Sequence, residues 1–156
     1  MRQHPKLSDH PELIPMLGAV TFQQFEEWRI GLEEAAKNEN SDESAVSDLL
    51  RNPTIHYWYV LLEMYKRQRL GLPPLSKVES HKLFPTLSEQ VGRAYVDRLV
   101  RASLIRTVRQ GRASNVELSA SAAVLVTKNI DQWSERFGDI HARLIEAEQR
   151  SKPRAS

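Results

Sequence analysis

With 156 residues, 40% apolar and 27% charged, the chain has the size and composition of one ordinary globular domain. It contains no cysteine, which excludes disulfides, thiolate metal sites and cysteine nucleophiles and suits a reducing compartment. The apolar runs around 58–62 and 122–126 are far too short to cross a bilayer, and the opening MRQHPKLSDHPELIP lacks a signal peptide's apolar core, so a cytoplasmic protein away from membranes is expected.

The net charge of +2 conceals a division. Residues 1–52 hold five Lys/Arg against ten Asp/Glu, whereas 53–156 hold seventeen against ten. Between Lys82 and Arg112, seven basic residues stand against two acidic ones. Such an excess suits a polyanion, because each neutralised phosphate releases condensed counterions; a solvated charged face is the plainer alternative.

In chain order, residues 1–20 carry three prolines and no sustained period, which predicts an extended arm. Thr21 and Gln24 form a capping box for a helix in which Phe25, Trp28, Leu32 and Ala35 recur at helical spacing. Asn38 to Ser44 is a polar break, and a short helix then runs to about Arg51, stopped by Asn52-Pro53. Residues 21–52 therefore form an acidic helical segment, assigned to dimerisation. Thr54 is placed to cap the next helix, whose apolar face is Ile55, Trp58, Leu61, Leu62 and Tyr65; Tyr57 and Tyr59 lie off it. Leu-Gly-Leu-Pro-Pro ends that helix.

Ser76 with Glu79 opens a short helix to about Leu83, and Thr86 with Glu89 opens another. The second of these buries Val91, Tyr95, Leu99 and Ala102 and shows Gln90, Arg93, Asp97 and Arg101 on its other side. Strand-like stretches at 104–108 and 115–118 flank RQGRAS, a hairpin-type turn. Ser119 or Ser121 starts a final helix, 120–149, with Val126, Ile130, Trp133, Phe137, Ile140 and Leu144 at heptad intervals. Gly138 is its weak point, where a bend or break is expected. Residues 150–156 are left as a disordered tail.

A helix delivered directly into a basic hairpin outlines a winged helix-turn-helix. The expected fold is mainly α (α+β): a DNA-binding domain over 53–119 with a two-stranded wing, plus N- and C-terminal dimerisation helices. YVDRLVRASLI resembles the corresponding run of the MarR-type winged-helix regulators, LVDRLEARGLV, with Tyr95 to Leu99 on the first five positions and Leu104-Ile105 on the apolar pair that starts the wing. Leu87-Ser88 matches the family's Leu-Ser helix start, Arg112 its wing-tip arginine and Leu118-Ser119 its Leu-Thr. The likeness covers about 53–145 and is firm for 87–119. Ser103 stands where the family has glycine, so a left-handed turn falls on a less comfortable residue. Glu89-Gln90-Val91 replaces the usual Arg-Ser-Thr.

A recognition helix leads into the major groove with its first turns. There Gln90 is suited to adenine and Arg93 to guanine. Ser88 would cap the helix and touch a phosphate, while Arg109 and Arg112 would lie along the backbone or enter the minor groove. Arg98 reads equally as a phosphate contact or as the partner of a carboxylate. Glu89 is best placed as the capping partner of Thr86. The five histidines show no metal-binding spacing, and neither a Gly-rich phosphate loop nor Gly-x-Ser-x-Gly is present, so no enzyme, metal or cofactor is expected. The expected function is a sequence-specific regulator of transcription that binds double-stranded DNA as a homodimer. The resemblance also implies a small-molecule effector, which no residue identifies. The alternatives are a winged-helix protein-interaction module, or a plasmid or phage accessory DNA-binding protein without ligand response.

Overall fold

Three left-handed residues punctuate the helices. In the computed structural model, which describes residues 4–152, helix α1 (Ile14–Asn38) stops before Asn40 at φ 59°, α3 (Ile55–Leu70) at Gly71 with φ 65°, and α5 (Glu89–Arg101) before Ser103 at φ 61°. At each stop the following N–H reaches back five residues: Ser41 to the Ala36 carbonyl at 3.1 Å, Leu72 to Arg67 at 2.9 Å and Leu104 to Leu99 at 3.1 Å. This closure satisfies carbonyls that the helix end would otherwise orphan.

Helix starts are set by short polar side chains. Asp42 caps α2 (Glu43–Arg51) through Ala45 N–H at 2.8 Å, Ser76 caps α4 (Lys77–His81) through Glu79 N–H, and Ser88 caps α5 through Val91 N–H at 3.2 Å. Thr54 occupies the N-cap of α3 without a capping bond; its carbonyl instead accepts from Trp28 Nε1 at 2.9 Å. Helix α6 (Ala120–Ser151) begins at Ser119, whose hydroxyl accepts from Ala122 N–H, and runs unbroken through Gly138.

Helix α1 begins seven residues before Thr21, so the Thr21–Gln24 pair lies inside a helix rather than at its start, and two 3-10 turns (Leu7–Asp9 and Pro11–Leu13) replace much of the expected arm. Pro15 does not prevent this, because a first-turn N–H has no helical acceptor to lose. The arm's residues 1–3 and the tail's residues 153–156 lie outside the described residues.

The strands β1 (Leu75–Ser76), β2 (Ile105–Gln110) and β3 (Ala113–Leu118) form an antiparallel sheet in the order β1-β3-β2. Ile105 faces Leu118 at the base of the hairpin and Gln110 faces Ala113 at its tip. Only Gly111 and Arg112 remain in the turn, with Gly111 at φ 63°, so the strands are longer and the turn tighter than the sequence suggests. The fold is thus mainly helical with a small three-stranded antiparallel sheet, an α+β arrangement. No helix among the described residues is long and apolar enough to cross a membrane.

The chain forms two compact units whose boundaries fall inside α1 and α6. The larger, 28–128, has a continuous core: Trp28, Leu32 and Ala36 from α1, Leu49 from α2, Tyr57, Val60, Leu61 and Met64 from α3, Val96 and Leu99 from α5, and Leu104, Ile105, Val116 and Leu118 from the sheet are all buried. Two apolar stripes differ from expectation. In α3 the buried line is Tyr57, Val60, Leu61 and Met64, while Ile55 and Tyr59 are exposed. In α5 Val91 is 42% exposed and Gly92 takes its place against the core. In the smaller unit, up to Glu27 and from Asn129 onward, Ile140 and Leu144 are buried, and a cluster of polar side chains joins α1 to α6 beside them. Gln24 Nε2 donates to Asn129 Oδ1 at 3.1 Å, and Arg136 reaches both Gln24 and Glu27.

Two substitutions test these constraints. A Cβ on Gly92 would lie 2.1 Å from the His81 carbonyl oxygen, so Gly92→Ala should cost at least about 3 kcal/mol by urea denaturation or prevent folding. Ser103→Gly should stabilise the protein by about 1 kcal/mol, because glycine removes the Cβ strain of a left-handed residue.

Candidate nucleic-acid interface

Helix α5 owes its position to three neighbours. Against α4, Gly92 allows the backbone to approach His81 closely. Against α3, Tyr95 joins an aromatic cluster, with ring centroids 4.8 Å from His56, 5.4 Å from Tyr57 and 5.6 Å from Phe84. Tyr57 is fully buried and donates its hydroxyl to the Leu49 carbonyl at 2.9 Å; burial raises its pKa, so the phenol stays a donor. Against α2, Asp48 receives both Arg98 and Arg101.

These contacts sort the basic residues. Arg98 Nε lies 3.8 Å from Asp48 and its guanidinium sits 5.1 Å from the Tyr95 ring centroid. Of the two roles the sequence allows Arg98, its geometry is that of a carboxylate partner. Arg101 is committed to Asp48 in the same way, and Lys77 engages Asp97 at 3.6 Å. Arg93, Arg109 and Arg112 are exposed and make no ion pair among the described residues.

Two exposed groups result, both in the larger unit. The leading turns of α5 present Gln90, Val91 and Arg93 behind the Ser88 cap, and the hairpin tip presents Arg109 and Arg112. Asn115 Nδ2 donates to Gln110 Oε1 at 3.1 Å across the strands just below the tip. Ser88, rather than Thr86, is the capping side chain, so Glu89 is an exposed first-turn carboxylate that complements the helix dipole.

Several contributors carry little or no local sequence signal. Asp48 carries no motif, and its pairing depends on bringing α2 onto α5 from about fifty positions away. Gly92 left a faint signal, since a glycine within a helical pattern often marks a close approach. Glu39 caps the last helix from a distance: its carboxylate accepts from Ser121 N–H at 3.0 Å, and that bond, with a further one from the Ser121 hydroxyl, holds its pKa below the ordinary range.

His81 is buried with neither ring nitrogen hydrogen-bonded. Burial first, and the Arg93 charge second, hold its pKa below the usual 6.5. The unfolded chain therefore takes up this proton first, so the His81 contribution to stability is intact above about pH 6.5 and is withdrawn as the pH falls below it. Denaturation midpoints should drop between about pH 7.5 and 5.5, and His81→Leu, which removes only unpaired nitrogens, should flatten that limb. The effect of Glu39 has the same sign but belongs to the carboxylate range, around 4.5 and below.

Comparison with known protein families, with characterised proteins and with solved structures finds no match to this chain.

Proposed function

We propose that the protein is a winged helix-turn-helix regulator that binds double-stranded DNA in a sequence-specific way as a homodimer. The observation that carries this reading is the separation of charge within 82–112: Arg98 and Arg101 are paired with Asp48, while Arg93 on the leading turns of α5 and Arg109 and Arg112 on the hairpin are left to solvent. The order α3-β1-α4-α5-β2-β3, with β3 central in its sheet, supports the winged-helix assignment. The resemblance of YVDRLVRASLI to the MarR-type regulators adds to it.

In this reading α5 is the recognition helix. Gln90 and Arg93 read base edges in the major groove, Ser88 caps the helix beside a phosphate, and Arg109 and Arg112 hold the sugar-phosphate backbone or the minor groove. Arg98 positions α5 through Asp48 and Tyr95 rather than touching DNA. Dimerisation is assigned to the terminal helices because α1 exposes Ile14, Phe22 and Phe25, with Phe22 at 69%. The effector implied by the family resemblance has no residue assigned to it.

Gel-shift titrations on a selected duplex and a random one, at two salt concentrations, test the reading. Replacing Arg109 and Arg112 together with Ala should weaken binding to both duplexes and lower the salt slope by roughly two. Arg93→Ala should instead cost about 1–3 kcal/mol of discrimination at one base position. Binding that is salt-independent and unchanged in both variants would favour a protein-interaction module.

A further inference from the structure

Between α2 and α5 runs an open polar groove with a volume of about 690 Å³, and the proposed DNA contacts make no use of it. One face of α2 supplies Asp48 and Arg51, and one face of α5 supplies Ala94, Asp97, Arg98 and Arg101 at three- and four-residue intervals. Three arginines therefore line a common space. Asp48 serves two of them, and Asp97 is engaged by Lys77 at 3.6 Å. The hydrogen bond of Arg51 is a long one, 3.4 Å to Ser47 Oγ. Lys77, which lies outside the groove lining, offsets Asp97, so the three guanidinium groups stand against Asp48 alone and leave two positive charges.

That excess matches a phosphate monoester, which carries close to two negative charges at neutral pH, better than a monocarboxylate. Guanidinium forks fit tetrahedral oxyanions by paired N–H donation, and Arg98 is already fixed by the Tyr95 ring. The groove is open to solvent on one side, so an organic portion would rest against Ala94 rather than be enclosed. We infer that this groove binds a small phosphorylated molecule, whose phosphate pairs with Arg51 and Arg101 in competition with the Asp48 carboxylate. The site stands apart from the DNA-binding reading and does not depend on it.

Calorimetry on the full chain with glycerol phosphate and with inorganic phosphate, against sodium chloride of equal ionic strength, tests the inference. Saturable binding of both phosphates is expected, with glycerol phosphate at least as tight. Asp48→Asn, which releases the guanidinium groups, should tighten binding roughly three- to tenfold, and Arg51→Ala with Arg101→Ala should weaken it by at least about tenfold. Circular dichroism checks that each variant is folded; Arg51→Ala alone, which removes only the Ser47 contact, gives the weakening without disturbing the Asp48 pair. A response equal to that of chloride, or an Asp48→Asn protein that binds no tighter, overturns the proposal. Loss of duplex affinity in the arginine variants without any phosphate binding overturns it too, because the groove would then be a nucleic-acid contact. Failure of the Arg109 and Arg112 variants to affect DNA binding leaves this site standing, so the two readings fail separately.

Discussion

The approach of α5 to the carbonyl of His81 is the constraint on which the larger unit depends. Gly92 lacks the atom that would collide there, so α4 and α5 meet at backbone distance. That contact places Tyr95 among His56, Tyr57 and Phe84, and it buries His81 with no partner for its ring. With one side of α5 packed so closely, the leading turns of its other side are left to Gln90, Val91 and Arg93. A helix held this firmly presents its outward side chains in a defined geometry.

The elements marked by local chemistry were legible in the sequence. Ser76 caps its helix as the capping box suggests, Asn52-Pro53 ends α2, Gly71 ends α3, and Ser103 adopts the left-handed conformation expected at the end of α5. Strand β1 was not legible, because two residues carry no alternation; only pairing with Val116 and Asn115 makes Leu75-Ser76 a strand. The apolar face of α3 was also misplaced. Ile55, Tyr57, Trp58, Tyr59, Val60, Leu61 and Leu62 are apolar nearly all round, so periodicity alone could not show which line is buried.

At the site, exposure of Gln90, Arg93, Arg109 and Arg112 followed from their positions on the helix and turn. The fate of Arg98 did not, because its partner lies fifty residues away on an element with its own local logic. The acidic front segment is therefore more than a solvated stretch. Asp48 takes two arginines out of the cationic set, and Glu39 supports the start of α6. These two carboxylates account for part of the charge division seen in the sequence, since each acts where the basic half of the chain folds back on it.

The polar cluster of the smaller unit has a consequence for its motions. Gln24, Asn129, Arg136 and Glu27 are linked by hydrogen bonds alongside the buried Ile140 and Leu144, and His10 adds a ring contact to Glu148 at 2.8 Å. Hydrogen bonds among such groups are directional and are replaced by water on opening, so the polar cluster adds less net free energy than an apolar one would, while its bonds must break together with the burial of Ile140 and Leu144. The backbone amides of 14–27 and 129–151 should therefore exchange with solvent deuterium through brief, cooperative openings, well before those of the aromatic cluster around Tyr95.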